Sequence, residues 1–213
     1  MQNKKTVAIS LAVIIAIFII AAVVYNNNQS KNISNKVQKN QGALVKGYSF
    51  STGNENAKVQ LVEFFDPACG TCALFHPYVK EIMNQNEGDI KLIYRYAPFH
   101  KNSDEIVKIL EASRVQDKFL QTLELTFVTQ KYWVKNHVAQ PEVLLEILEN
   151  SKFLDVQKIR KDMKNPEYEA IVKQDLADAQ KLGVNKTPSY FVNGALLKDF
   201  GLEQLINLIE SEL

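Results

Sequence analysis

The sequence predicts an α/β domain in which a strand–helix–strand unit and a later hairpin–helix unit are separated by a block of helices. One apolar helix precedes the whole. Three observations lead there. Val59–Phe65 is an apolar, β-branched and aromatic run of strand length, followed at once by Cys69-Gly70-Thr71-Cys72 and a helical-period segment. Between Ser103 and Leu182 the apolar residues recur at helical spacing, and after Gly183 the pattern returns to strands. Finally, no charge occurs from Thr6 to Tyr25, and Val7–Val24 is almost continuously apolar.

The chain has 213 residues, enough for one ordinary domain plus an appendage, and a formal net charge of +1. Near-balance of charge gives no basis for a nucleic-acid partner. Both cysteines lie in one motif, so there is no framework of structural disulfides. A zinc site needs four ligands, and His76, His100 and His137 are scattered, with no paired ligand spacing. Haem attachment through C-x-x-C-H is excluded because Ala73 follows Cys72. No cofactor is expected beyond the cysteine pair itself.

In chain order, residues 1–5 are polar and basic and read as a cytoplasmic N-terminus. Residues 6–25 read as a transmembrane anchor. Their apolar run of about 18 residues is roughly what a helix needs to cross a bilayer. A cleaved signal sequence is the alternative, but its apolar stretch is typically about 7–15 residues and ends in small ones. Lys4 and Lys5 favour an inside N-terminus, although Lys31, Lys36 and Lys39 follow on the other side. Residues 26–42 are rich in Asn, Ser, Lys and Gln and read as a polar linker.

The domain is expected over residues 43–213, with its helical insertion at about 101–183. Tyr48-Ser49-Phe50 reads as a short edge strand, with a turn at Gly53-Asn54. After the Val59–Phe65 strand, a helix from Cys72 to Asn84 carries Leu74, Tyr78, Val79 and Ile82 on one stripe and is bent by Pro77. Ile90–Tyr96 is the next strand, and a helical connection makes the two parallel. Ser103 is placed as the cap of a helix bearing Ile106, Ile109 and Leu110. Phe119, Leu120, Leu123 and Phe127 mark a second helix, and Val143, Leu144, Ile147 and Leu148, entered through Pro141, a third. Tyr132 and Trp133 fall between helices as core or interface packing. Pro166 opens a longer helix closed by Gly183. Ser189–Val192 and Ala195–Leu197 flank Asn193-Gly194, a hairpin turn that demands positive φ, and Gly201 leads into a last amphipathic helix.

A C-x-x-C at a strand-to-helix junction makes a cysteine reactive. The first sulfur, Cys69, meets unpaired backbone N–H groups and the positive end of the helix dipole, which favour thiolate over thiol. Cys72, one turn on, can close a disulfide with it. Glu63 shares a strand face with Leu61 and Phe65, a carboxylate where burial calls for hydrocarbon. A buried acid has a raised pKa and exchanges protons near neutrality.

These features together resemble the thioredoxin fold with an inserted helical domain, here preceded by one transmembrane helix. The chain is similar in particular to the DsbA-like thiol–disulfide oxidoreductases. The resemblance runs from Val62-Glu63-Phe64-Phe65 and Cys69-Gly70-Thr71-Cys72 through Phe99-His100 with Ser103, Gln116 to Phe119, and Phe127 with Trp133. It ends at Leu182-Gly183-Val184 and Thr187-Pro188-Ser189-Tyr190-Phe191-Val192-Asn193-Gly194. It implies that Cys69 is the exposed nucleophile, Cys72 the buried resolving thiol, and Glu63 a proton shuttle for Cys72. It further implies that Pro188 is a cis-proline facing the cysteines and that Thr187 pairs with substrate backbone as a short added strand. Gly70 and Thr71 would meet the substrate between the sulfurs. DsbA itself has Pro-His there, so Gly70-Thr71 predicts a less acidic Cys69 and a less oxidising disulfide.

The function expected from the resemblance is disulfide formation in unfolded or cysteine-containing exported proteins, with reoxidation by a membrane redox partner. An isomerase or reductase kept reduced by a membrane electron donor is one alternative. A non-catalytic chaperone binding unfolded chains is another. A dithiol oxidant needs an oxidising compartment. The expected location is therefore the bacterial inner membrane, single-pass, with the catalytic domain on the periplasmic or extracytoplasmic side and residues 6–25 in the lipid bilayer.

Overall fold

A computed structural model describes residues 11–25 and 40–213. Residues 11–25 form helix α1, exposed throughout. At about 1.5 Å per residue its described part rises roughly 22 Å, against about 30 Å of bilayer hydrocarbon. Among the described residues no helix is long and apolar enough to cross a membrane. The expected cytoplasmic segment, the first five residues of the expected span, and residues 26–39 of the expected linker lie outside the described residues.

The remainder follows the expected order around a five-stranded sheet. Strand β1 is Ser51–Gly53 and β2 is Val59–Phe65. Helix α2, Gly70–Gln85, connects β2 to β3, Ile90–Tyr96, and the two strands pair in parallel, Val59 with Ile90 through Phe65 with Tyr96. The insertion follows, with helices α3 (Ser103–Arg114), α4 (Phe119–Val128) and α5 (Gln130–Trp133). Strands β4 (Val134–Lys135) and β5 (Val138–Ala139) come next, then α6 (Pro141–Ser151), α7 (Val156–Asp162) and α8 (Pro166–Leu182). Strands β6 (Ser189–Val192) and β7 (Ala195–Leu196) and helix α9 (Leu202–Glu210) complete the chain. The sheet order is β1-β3-β2-β6-β7, so the cysteine strand lies at its centre.

Alternation along β2 divides the interior into two cores. Leu61, Glu63 and Phe65 face α2 and the insertion, with Val79, Ile82, Leu92, Leu205 and Ile209 in the same cluster as Leu61 and Phe65. Val62 and Phe64 face the other way, against Ala43, Leu44, Ile93, Ala179, Leu182 and Phe191. In that second core Arg95 is fully buried. Its guanidinium donates to Asp175 Oδ1 at 2.7 Å and Asp178 Oδ2 at 3.0 Å, and to the carbonyls of Ala43 at 2.6 Å and Leu44 at 2.8 Å. Asp175 also accepts from the Tyr96 N–H and the Tyr48 hydroxyl. One cation thereby fastens α8 and the residues before β1 to the sheet.

Several local expectations are corrected. The edge strand is Ser51–Gly53, not Tyr48–Phe50. Lys46 and Ser49 close a turn on each other through Ser49 N–H to Lys46 carbonyl and Lys46 N–H to Ser49 Oγ, which removes those groups from the ladder. Helix α2 begins at Gly70 with Cys69 as its N-cap residue, rather than at Cys72, and it runs on across Pro77. Ser103 does not cap α3. Asn102, at φ 63°, holds that position, and the buried Ser103 hydroxyl instead donates to Asp66. The helical block is interrupted by the β4–β5 hairpin, whose turn places Asn136 at φ 50° and His137 at φ 62°. Of the two aromatics between helices, Trp133 is buried with its indole N–H on the Thr126 carbonyl, whereas Tyr132 is exposed.

Removing one partner from a buried ion pair leaves the other charge uncompensated, at a cost of about 3–5 kcal/mol. Arg95→Met leaves Asp175 buried without its cation and is accordingly expected to lower the unfolding free energy by about that much in urea titrations. A loss below about 1 kcal/mol, the range of an exposed pair, would show that the Arg95 network does not hold α8 in place.

Candidate active site

Strand β2 ends at Phe65, and the chain turns through Asp66, Pro67 and Ala68 into α2. Asp66 is fully buried and holds this turn. Its Oδ1 accepts from the Ala68 N–H at 2.8 Å and from the Ser103 hydroxyl. Its Oδ2 accepts from the N–H groups of Phe99 at 2.7 Å and His100 at 2.8 Å, with His100 Nδ1 also at 2.7 Å. Hydrogen bonds on both oxygens offset the cost of burying this polar group. It ties the turn before the cysteines to the loop after β3. From the insertion, Gln130 Nε2 donates to the Pro67 and Cys69 carbonyls at 2.8 and 3.1 Å and holds the same turn from the opposite side.

Both cysteines are free. Cys69 was expected to be exposed. It is 7 % exposed against 0 % for Cys72, so it is the more accessible of the two but largely covered. Its cover comes from the other half of the fold: Cys69 Sγ lies 3.2 Å from the Thr187 carbonyl, to which it donates when it carries its proton. The Thr187–Pro188 peptide is cis, and Pro188 is buried at the entry to β6. Gly70 and Thr71 are exposed between the sulfurs. The structure thus brings Cys69, Cys72, Gly70, Thr71, Thr187 and Pro188 together.

The two sulfurs are electrostatically unequal. The Cys72 thiol hydrogen-bonded to Cys69 pulls the latter down to about 5. The Thr187 side chain and the backbone N–H groups of Cys72 and Thr71 add to this, while burial opposes it. Burial pushes Cys72 well above its ordinary value, and its hydrogen bond to Cys69 and the charges of Cys69 and Glu63 push the same way. At neutral pH one sulfur is therefore a thiolate and its neighbour a thiol.

Glu63 lies beneath the pair, 2 % exposed, in the face of β2 that packs on α2. Burial lifts its carboxyl to about 8, with the Cys69 charge adding to it, against a lowering by the Tyr190 hydroxyl, which donates to Oε1 at 3.1 Å. Tyr190 is its register partner across β2 and β6. His76, on α2 after Cys72, is held neutral by burial, down to about 4, and packs against Phe127. Among the described residues no group of His, Cys, Asp and Glu could hold a metal ion.

Sequence reasoning missed Asp66, Gln130, Tyr190 and the seat of His100. Asp66-Pro67 directly after a buried strand is a turn signal that could have flagged the first. Tyr190 alternates with Phe191 on β6 and could have been placed opposite Glu63 once the pairing of the two strands was known. Gln130 carries no local signal, because its partners lie more than sixty residues away. Chemically, the site is a dithiol with one ionised sulfur, one protonated sulfur and a buried proton donor, which is the equipment for thiol–disulfide exchange.

Comparison with known proteins agrees with this architecture. The family described as Thioredoxin matches residues 45–211. The probable disulfide bond formation protein D of Bacillus anthracis is 28% identical over 220 residues, covering 100% of this chain and 98% of the relative. A thioredoxin-like oxidoreductase from Silicibacter pomeroyi superposes with a TM-score of 0.69 at 28% identity, over 81% of this chain and 96% of the other. The thiol–disulfide exchange protein alpha-DsbA2 of Wolbachia pipientis gives 0.70 at 22% identity, over 86% and 97%. This chain belongs to the thioredoxin family, in the form whose two halves are separated by a helical insertion.

Proposed function

We propose that the protein is a disulfide-forming oxidase, tethered to the bacterial cytoplasmic membrane, that oxidises cysteine-containing exported proteins. The chain is a thiol–disulfide oxidoreductase, and the observation that favours oxidation is the inequality of its sulfurs. A substrate thiolate attacks Cys69 Sγ of the oxidised pair. The Cys69–Cys72 bond breaks, and Cys72 leaves with the electron pair and takes the proton of Glu63. A second substrate thiol, having lost its proton to solvent, then attacks as thiolate the substrate sulfur of the mixed disulfide and expels Cys69. With a value near 5, Cys69 leaves as a stable thiolate, and a stabilised reduced state is what makes a disulfide oxidising. Glu63, raised to about 8, is protonated at neutral pH and suits the donor's part.

The exposed pair Gly70-Thr71 and the backbone of Thr187 form the contact surface for an extended substrate strand in this reading. The uncharged run over residues 6–25, of which α1 is the described part, supports membrane attachment, and an oxidising dithiol supports an extracytoplasmic domain. The two electrons gained per turnover pass to a membrane redox partner. The name of the B. anthracis relative supports disulfide formation.

Cys69 lies between the thiol of thioredoxin, about 7, and that of DsbA, about 3.5. Titration against glutathione is expected to place the pair between their potentials, about −270 and −120 mV. A value at or below about −270 mV would make the protein a reductase instead.

Glu63 also makes a pH prediction. A carboxyl raised from about 4.3 in the unfolded chain to about 8 when folded is neutral in the native state. Its folding contribution is full below about 4.3 and is lost as pH rises through 8. Glu63→Gln removes that loss. The variant is expected to gain stability over wild type as pH rises from about 4.5 to 8, by up to about 1.4 kcal/mol per pH unit, measured by urea unfolding. A difference independent of pH would show that Glu63 is ionised throughout.

A further inference from the structure

The helical insertion holds Gln130 against the redox centre. Helix α4 ends at Val128, and Thr129 closes it, with its N–H and its hydroxyl both on the Leu125 carbonyl. The short α5 follows. Trp133 anchors it, fully buried with its indole N–H on the Thr126 carbonyl at 3.0 Å. Gln130, the first residue of α5, is half-buried, and its side chain reaches the turn before α2.

Its amide has one orientation open to it. Nε2 carries two N–H groups, and both are engaged, on the Pro67 and Cys69 carbonyls at 2.8 and 3.1 Å. Exchanging the two ends of the amide would set Oε1 against those carbonyl oxygens with no proton between them. Oε1 is therefore directed away from the turn. Among the described residues it accepts no hydrogen bond, and it is not buried from solvent. A Cβ on Gly70 would stand 3.8 Å from it. With no side chain at that position, the oxygen stays uncovered beside the exposed Gly70-Thr71 surface.

We propose that Gln130 Oε1 is a substrate-binding acceptor, which takes a hydrogen bond from a backbone N–H of the extended segment that Cys69 engages. The inference rests on the reading of Gly70, Thr71 and Thr187 as the contact surface and adds the insertion side to it. The Thr187 carbonyl borders Cys69 Sγ from the β6 side, and Gln130 grips the Cys69 carbonyl from the other. A segment laid over Gly70 covers Oε1, and a covered acceptor without a partner loses its water for nothing. The segment's own N–H groups are under the same constraint. An extended chain advances about 3.4 Å per residue, so an N–H within about three residues of the attacking cysteine is in reach. Every residue but proline offers that donor. The contact therefore accepts any side chain at that position and discriminates against proline alone.

The test uses single-cysteine peptides, each N-methylated at one backbone position within about three residues of the cysteine, with the unmethylated peptide as reference. Rapid-quench rates for reduction of the Cys69–Cys72 disulfide are compared in wild type, Gln130→Ala and Gly70→Ala. In wild type, methylation at one position is expected to slow the reaction about three- to tenfold through Gln130, the size of one lost hydrogen bond. In Gln130→Ala that penalty is expected to vanish, while penalties from N–H groups paired with Thr187 stay. Gly70→Ala keeps both Gln130 bonds to the turn and sets a methyl against Oε1. It is expected to shrink the same penalty, so the contact is read even where Gln130→Ala loosens the turn. Identical penalties in all three proteins overturn the Gln130 contact and leave the rest of the surface intact. No penalty at any position in wild type overturns that surface and the Gln130 contact with it. A Gln130→Ala protein that is slow with every peptide but keeps the wild-type penalty marks a brace for the turn alone and also overturns the contact. Should the unmethylated peptide leave the wild-type disulfide intact, the oxidase reading falls. The same series, presented as mixed disulfides with a small thiol to Cys69 of the reduced protein, then decides the contact by the same outcomes.

Discussion

The Sγ of Cys69 lies 3.2 Å from the Thr187 carbonyl, across 118 residues of sequence, and the rest of the site depends on that approach. It exists because β2 and β6 are antiparallel neighbours, Phe64 opposite Ser189 and Leu61 opposite Val192. The two chain segments bordering the sulfur therefore emerge from adjacent strands at one end of the sheet. Asp66 and Gln130 hold the turn between strand and helix from two sides, one reaching the loop after β3 and the other reaching from the insertion. The helical block is thus part of the site's framework, and its removal would release one of those two holds.

Around this contact, burial acts with opposite consequences on neighbouring groups. Cys69 is mostly covered, yet hydrogen bonds to its anion outweigh the desolvation and keep it ionised. Cys72 and Glu63 lie deeper with less compensation, and desolvation keeps both protonated. Tyr190 gives Glu63 one hydrogen bond, where Asp66 receives five. Two buried carboxyl groups on one stretch of chain accordingly have different tasks: the saturated one fixes geometry, and the poorly satisfied one is free to trade a proton. The buried Arg95 cluster on the other face of the sheet carries its own counter-charges.

Much of this was legible in the sequence, and the reasons differ by element. Strand β2 and the start of α2 were clear because a seven-residue apolar run meets Pro67 and Gly70, both strong local signals. The β6–β7 hairpin was clear because Asn193-Gly194 suits a turn with two positive φ values, here 46° and 84°. The β4–β5 hairpin was invisible, since its strands are two residues long and its turn is Asn136-His137. Ser103 looked like a cap by composition, but a tertiary partner, Asp66, claimed its hydroxyl. Glu63 stood out as an acid among hydrocarbons. Tyr94, its ladder neighbour, looked like one more aromatic in a strand. Its place beside Glu63 became apparent only when the two strands were in register.

The central claim is that one sulfur of the pair is ionised at neutral pH while the other is not. Thiolate absorbance near 240 nm, followed in the reduced protein as pH is raised, reads this directly. The account predicts a step of one thiolate with a midpoint near 5, absent in Cys69→Ser, and no second step until well above 9. Two overlapping steps at the ordinary value of about 8.5 for free cysteine would contradict it.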